Sequence, residues 1–220
     1  MLALFDLDHT LLAGDSDVLW CEFLMDQGVL DRTEFDARNR AIEAGYKAGS
    51  VGVLEFCEFF LGTLAGHTAA HWLPLREQCL HTRIQPRLLP QGIAAVEAHR
   101  AAGHRLVMST ATSRFLAERT AQVLDFTHLI ATEAEHDEAG RFTGRVAGLP
   151  NMREGKVARL QAWLAQQALP GLAQHHSVFY SDSMNDLALL SAVDEAVVVN
   201  GDQRLKAVAR ERGWRMVDWA

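Results

Sequence analysis

Apolar residues fall along this chain in two rhythms. At the start, Leu2-Ala3-Leu4-Phe5 is uninterrupted and breaks into Asp6-Leu7-Asp8-His9-Thr10. A short apolar run without polar alternation predicts a strand buried on both faces, over residues 2–7. Similar runs predict strands at 105–108, 128–131, 177–180, 196–199 and 215–217. Between them the spacing is helical, over 90–102, 114–124, 156–167 and 203–212, with Val157, Leu160 and Leu164 on one face of the third. Residues 109–113 read as the polar turn after the second strand, and Ser181 to Asp186 as a turn into a short helix. Strand alternating with helix predicts an α/β fold, a Rossmann-like doubly wound parallel sheet with right-handed crossovers.

Residues 15–84 interrupt that alternation. Trp20, Phe23, Leu24 and then Phe56, Phe59, Phe60 recur at helical spacing, with glycines between the segments. Four helices in a row are predicted there. The organisation expected is a core domain made of 1–13 and 85–220, with 14–84 as an inserted helical cap.

Composition narrows the picture little. The 220 residues are 49% hydrophobic, ample for a core, and the net charge of -7 disfavours a nucleic-acid-binding surface. No apolar run approaches the ~20 residues of a membrane span, and the first residues lack the basic start of a signal peptide. Cys21, Cys57 and Cys79 are widely spaced and suggest neither zinc nor disulfides. The expectation is a soluble, cytoplasmic protein with reduced cysteines and a small-molecule partner, not nucleic acid or membrane. Nothing in the pattern sets an oligomeric state.

The chemistry gathers at strand ends, where open α/β sheets place their sites. Asp6 and Asp8, two residues apart, point to one side of the first strand's end. Like charges this close persist when a cation sits between them or one carboxyl keeps a proton. The second strand offers Ser109 and Thr110, a helix start offers Lys156, and a later strand end offers Asp182, Asn185 and Asp186. The set suits phosphoryl transfer. Asp6 can attack phosphorus and Asp8 can serve as acid and base. Ser109 and Thr110 can hold phosphoryl oxygens, with Lys156 offsetting charge. Asp182 with Asp6 supplies hard oxygen ligands for Mg²⁺.

Taken in order, Asp6-Leu7-Asp8-His9-Thr10, Ser109, Lys156 and Tyr180-Ser181-Asp182-Ser183-Met184-Asn185-Asp186 resemble the motifs of the haloacid dehalogenase (HAD) superfamily. The cap after the first motif, and Gly140 to Val146 as a hairpin, resemble its phosphoserine-phosphatase-like branch. The resemblance implies a Mg²⁺-dependent phosphatase working through an aspartyl-phosphate on Asp6, with Asp8 as acid/base. It implies metal held by the Asp6 side chain, the Asp8 carbonyl and Asp182, with Asp186 behind them orienting Lys156 or a water. Two positions depart from the pattern: His9 stands where Gly or Ser is commoner, and Ser181 where Gly is usual.

Substrate choice follows from the same resemblance. Asp15 looks like the acidic residue that binds a substrate amine, although it also reads as the cap of the first inserted helix. Asn185 is a further candidate substrate contact. The branch binds the serine carboxylate with an arginine on a cap helix, but the comparable stretch, 54–61, is aromatic and has none. A phosphorylated amino alcohol without a carboxylate, such as histidinol phosphate, is therefore expected to be preferred over phosphoserine. A phosphoserine phosphatase and a non-enzymatic, receiver-like phospho-accepting module are the alternatives. The Phe56, Phe59, Phe60 cluster reads as packing, the histidines as surface or capping residues, and Trp214 and Trp219 as cover for the last strand.

Overall fold

The structure, a computed structural model, describes residues 1–219, so residue 220 of the expected core segment lies outside the described residues. The strands are β1 (Leu2–Phe5), β2 (Arg105–Ser113), β3 (His128–Thr132), β4 (Ala134–His136), β5 (Phe142–Val146), β6 (Ser177–Ser181), β7 (Glu195–Val199) and β8 (Arg215–Val217). Six of them form one sheet in the order β3-β2-β1-β6-β7-β8, all neighbours parallel. β4 and β5 form a separate antiparallel ladder. The helices are α1 (Ser16–Asp26), α2 (Arg32–Ala48), α3 (Val53–Leu61), α4 (Ala69–Cys79), α5 (Pro90–Ala101), α6 (Arg114–Val123), α7 (Glu154–Gln166), α8 (Leu187–Leu190) and α9 (Gln203–Arg212).

The period-two geometry of strands explains why β1 reads as continuous apolar sequence. Ala3 and Phe5 face one side, where Val96 of α5, Ala117 and Ala121 of α6, and Trp20 of α1 complete the core. Leu2 and Leu4 face the other, against Leu160 and Leu164 of α7, Leu189 of α8 and Leu205 of α9. Burying both faces leaves no position for a polar side chain until the strand ends.

Helices α1–α4 lie between β1 and α5. The chain leaves and returns side by side: Ala13 N donates to Arg87 O and Leu89 N to Leu11 O, both at 2.8 Å. Asp15 caps α1 and Asp31 caps α2 through their side chains, and α2 ends at Gly49 with φ 78°. Trp20, Phe23 and Leu24 of α1 join Trp72 and Cys79 of α4 in the core. α2 buries no residue fully. The β4–β5 ladder packs on this insert, with Phe142 N donating to His67 O and accepting Gly66 N through its carbonyl, each at 2.9 Å.

Two sequence expectations need adjustment. β1 stops at Phe5, because Thr10, Leu11 and Leu12 all donate their N–H to Leu7 O and wind the chain into a tight turn. Residues 109–113 are not a turn: β2 runs through them to Ser113, with its register against β3 shifting between Ser109 and Ser113. Their hydroxyls suggested a loop, but threonine is also a good strand residue where its oxygen finds a partner. Among the described residues no helix is long and apolar enough to cross a membrane.

Candidate active site

β1 and β6 are the central strands of the sheet, and the chain order reverses between them. Such a switch point opens a crevice at the strands' carboxyl ends. Here it is a cleft of about 1340 Å³, floored by Asp6, Asp8, Lys156 and Asp182 and walled on the insert side by Tyr46, Phe56 and Phe60.

Asp6 is buried just beyond β1, with its N–H donating to Tyr180 O at 2.9 Å. Lys156, 2% exposed, donates from Nζ to Asp6 Oδ1 at 2.9 Å and to Asp186 Oδ2 at 2.6 Å. Lys156 reaches this point because α7 begins at a close approach. A Cβ on Gly155 would lie 2.2 Å from Pro150 O, so only glycine fits there. Asp186 Oδ2 also accepts Ser181 Oγ at 2.7 Å, which gives the hydroxyl at the family's usual glycine position a structural use. His9, at the other departure, adopts φ 54°, a left-handed conformation rarely taken by residues other than glycine.

Asp8 is held at both oxygens. Oδ1 accepts the N–H and Oγ of Ser16, at 2.7 and 2.5 Å, and Oδ2 accepts Thr112 Oγ1 at 2.6 Å and Thr110 Oγ1 at 3.3 Å. Alternation along β2 decides which hydroxyls arrive: Thr110 and Thr112 face Asp8, and Ser109 faces away. Ser109 is fully buried with its Oγ accepting Asn151 Nδ2 at 3.1 Å, so its expected place on the phosphate is corrected. Thr110 is fully buried too and meets Asp8 rather than the open cleft. Thr112 lines the cleft and was missed, although its position two residues beyond Thr110 was the available signal. Asn151 was also missed. Its Nδ2 bridges β2 and β3 through Thr110 O and Ile130 O, at 2.9 and 3.0 Å.

Asp182 exchanges hydrogen bonds with Thr10: Thr10 Oγ1 donates to Asp182 Oδ1 at 3.2 Å and accepts Asp182 N at 3.1 Å. Asn185 Oδ1 accepts Tyr46 OH at 3.0 Å and Arg153 Nε at 3.3 Å, two residues that sequence reading did not single out. Asp15 accepts Val18 N at 3.0 Å as the cap of α1, and it also lines the cleft beside Asp17. Phe56 and Phe60 line the cleft, whereas Phe59 packs on Phe35 with ring centroids 5.1 Å apart.

The site carries excess negative charge. Burial pushes the Asp6 carboxyl well above the usual carboxylate range; Lys156 pulls it back, while Asp186, Asp182 and Asp8 add repulsion. Burial and then Asp186 push Asp182 up to about 7. For Lys156, burial lowers the ammonium's pKa, but Asp186 and Asp6 more than offset it. On the insert side, burial and then Asp8 push Asp15 up to about 7, and burial with Asp15 raises Asp17.

One ammonium thus serves Asp6, Asp182 and Asp186. Asp6 Oδ2 and Asp182 Oδ2 accept no protein hydrogen bond among the described residues. No cage of three or more His, Cys, Asp or Glu side chains exists among the described residues. The expected donors, two carboxylate side chains and one backbone carbonyl, are hard oxygens, a fit for Mg²⁺.

The family model for haloacid dehalogenase-like hydrolases matches residues 3–191. A histidinol-phosphatase of Neisseria meningitidis is 34% identical over 99% of this chain and 98% of its own length. A phosphoserine phosphatase of Mycobacterium tuberculosis is 30% identical over 99% of this chain and 70% of its own. Among solved structures, a Bordetella pertussis protein of unknown function superposes with a TM-score of 0.93 at 41% identity, covering 99% of this chain and 97% of that one. A phospho-aspartyl intermediate analogue of phosphoserine phosphatase shares the fold, with a TM-score of 0.66 at 16% identity over 94% and 89% of the two chains. With that family model matched over most of its length, the chain belongs to the haloacid dehalogenase-like hydrolases.

Proposed function

We propose that this HAD-family phosphatase hydrolyses the phosphate monoester of an amino alcohol without a carboxylate, such as histidinol phosphate, through an aspartyl-phosphate on Asp6. The observation that carries the reading is the buried Lys156 ammonium gripping Asp6 Oδ1 and Asp186 together. It fixes the Asp6 carboxylate in the cleft for attack and leaves its Oδ2 without a protein hydrogen bond among the described residues. Attack forms the bond to phosphorus and breaks the ester P–O bond. Asp8 gives its proton to the departing alkoxide, then takes one from the water that attacks the acyl phosphate. That second step releases phosphate and restores both carboxyl groups. The hydroxyls around Asp8 can turn from donor to acceptor, so the carboxyl keeps its orientation in either protonation state. Asp6, Asp182 and the Asp8 carbonyl would hold Mg²⁺, which supplies charge neutralisation that lets a phosphate dianion enter an acidic cleft. Helices α1–α4 serve in this reading as a cap over the 1–13 and 85–219 core.

Preference for an amino alcohol rests on the cleft's insert side. Asp15 and Asp17 line it beside Tyr46, Phe56 and Phe60, and among the described residues neither forms an ion pair with a Lys or Arg. Carboxylates and ring faces together suit an ammonium or imidazolium group. The relative named histidinol-phosphatase matches this chain along nearly its whole length. A second reading, phosphoserine, gains from Arg153. Residues 54–61 hold no arginine, yet the turn before α7 places Arg153 in the cleft. Phosphate release measured with Mg²⁺ over histidinol phosphate, other phospho-amino alcohols, phosphoserine and sugar phosphates tests the choice. The highest kcat/KM is expected for histidinol phosphate; phosphoserine as the best substrate overturns it.

A further inference from the structure

We propose that Arg153 is a second cation for the phosphoryl group and that Tyr46 positions it; this rests on the phosphatase reading above. Lys156 is nearly spent before substrate arrives. Two of its three N–H groups already serve Asp6 and Asp186. Beyond the charge that Mg²⁺ would neutralise, a phosphate dianion entering beside those carboxylates has oxygens left for another donor-rich cation. Most other cationic side chains on the cleft wall are engaged or remote. Lys47 pairs with Glu43 at 3.5 Å, Arg212 donates to Ser191 and lies over Trp214, and Arg204 is exposed at the start of α9.

Arg153 differs from these in three respects. Its Nε donates to Asn185 Oδ1 at 3.3 Å, between the two aspartates of the 182–186 segment. Its carbonyl accepts the Lys156 N–H at 3.1 Å, so both cations hang from one turn of backbone. It forms no ion pair among the described residues, in a cleft crowded with carboxylates, and its protein partners are Asn185 and Tyr46. A guanidinium with N–H groups to spare is the side chain best matched to a tetrahedral oxyanion. The backbone there takes φ 53° and ψ −128°, a strained conformation for arginine.

Tyr46, from α2, completes the arrangement. Its ring lies 4.7 Å beneath the guanidinium carbon and its hydroxyl donates to the same Asn185 Oδ1 at 3.0 Å. Phe56 backs that ring with centroids 4.5 Å apart. The aromatic face holds the guanidinium, and Asn185 and the Tyr46 hydroxyl engage only part of its five N–H groups, which leaves the rest for the ligand. Tyr46 is thus a positioning residue that ties the insert to the phosphate site.

The test is calorimetric titration of inorganic phosphate into the Mg²⁺-loaded protein, for wild type, Arg153→Gln, Arg153→Lys and Tyr46→Phe. Values of kcat/KM for p-nitrophenyl phosphate and phosphoserine are measured alongside. Arg153→Gln is expected to weaken phosphate binding about 10- to 100-fold. It should lower kcat/KM by a similar factor for both esters, whatever the leaving group. Arg153→Lys should recover part of the affinity. Tyr46→Phe keeps the ring and should lose only a few-fold, about what one hydrogen bond supplies. Unchanged thermal melts identify the variants that remain folded, and Arg153→Lys carries the test if Arg153→Gln does not. Phosphate affinity within about twofold of wild type in the folded variant overturns the proposal, as does absence of phosphate binding by wild type. A loss confined to phosphoserine also overturns it, since Arg153 would then serve a carboxylate on the leaving group. Failure of wild type to hydrolyse any ester would sink the phosphatase reading alone, because the phosphate titration still reports on Arg153.

Discussion

Lys156→Met isolates what the buried ammonium contributes. Methionine keeps most of the stem's volume and its contact with Phe179, over whose ring Nζ lies at 5.5 Å. The charge is lost, and Asp6 and Asp186, 6% and 2% exposed, are stranded without their shared partner. Breaking a buried ion pair from one side costs about 3–5 kcal/mol. Two carboxylates lose the same cation here, so the upper half of that range is expected in chelator-treated buffer. At about 2–4 °C per kcal/mol for a chain of this size, the melting temperature should fall by about 8–20 °C. Adding Asp186→Asn removes one stranded charge while keeping an oxygen for Ser181 Oγ, now 2.7 Å away. The double variant should regain about 1–3 kcal/mol and remain inactive. Urea unfolding of the wild type, both single variants and the double variant gives the cycle. A Lys156→Met variant within about 1 kcal/mol of wild type, or a double variant less stable than Lys156→Met, would refute the argument.

Four further outcomes follow from the same geometry. Asp6→Asn should reduce turnover by at least about 10⁴-fold while leaving a cooperative melt, because an amide is no nucleophile towards phosphorus; near-normal turnover of purified variant would exclude Asp6 as the acceptor. Gly155→Ala, forcing a Cβ to within 2.2 Å of Pro150 O, should destabilise by about 2 kcal/mol or more and displace Lys156, read by unfolding and activity together. Glu77→Gln tests the tie between α4 and α6, where Arg119 Nε and Nη2 donate to Glu77 at 2.6 and 2.9 Å. The Arg119 hydrogen bond holds the Glu77 carboxyl below its usual value, so its contribution is present above about pH 4.5 and lost as pH falls through the lowered value. At one third exposure the loss in Glu77→Gln should be only about 0.5–1 kcal/mol at pH 7, and the gap should close on acidification; a gap constant down to about pH 3 would contradict it. Burial pushes the Cys57 and Cys79 thiols up to about 12 and raises Cys21 as well, so the native protein should resist a thiol reagent at about pH 8 until unfolded.

The sheet was legible because its strands are buried on both faces and leave unbroken apolar runs, as Leu2 to Phe5 and Val197 to Val199 show. Positions at strand ends were legible because chemistry needs charge there while packing does not, hence Asp6, Asp8, Asp182 and Asp186. Asn151 and Arg153 were not legible because they sit in an irregular loop, where no period says which side chains turn inward. Tyr46 was hidden for another reason. It lies on α2, whose pattern shows no buried stripe since the helix buries none of its residues fully, and only the tertiary fold brings its hydroxyl to Asn185. Ser109 was misassigned through a wrong element. Reading 109–113 as a turn removes the alternation that, in a strand, sends Thr110 and Thr112 to Asp8 and Ser109 to Asn151.

That alternation also ties the first of the helices α1–α4 to the sheet at Asp8. Asp8 receives two donors from β2 and two from Ser16, the first residue of α1. The proposed proton donor is therefore oriented half by the sheet and half by the helix that begins the insert. Asn185 is shared in the same way, between Arg153 of the core loop and Tyr46 of α2. In the proposed reaction both ends of the reacting group, the leaving oxygen and the phosphoryl oxygens, would thus face residues whose geometry depends on where the helices sit. A shift of α2 away from the sheet would remove the ring beneath Arg153 without touching Asp6. In that geometry the proposed nucleophile would stay built while the proposed anion site loosens, so on this reading the position of the helices bears on phosphate affinity more than on the integrity of Asp6.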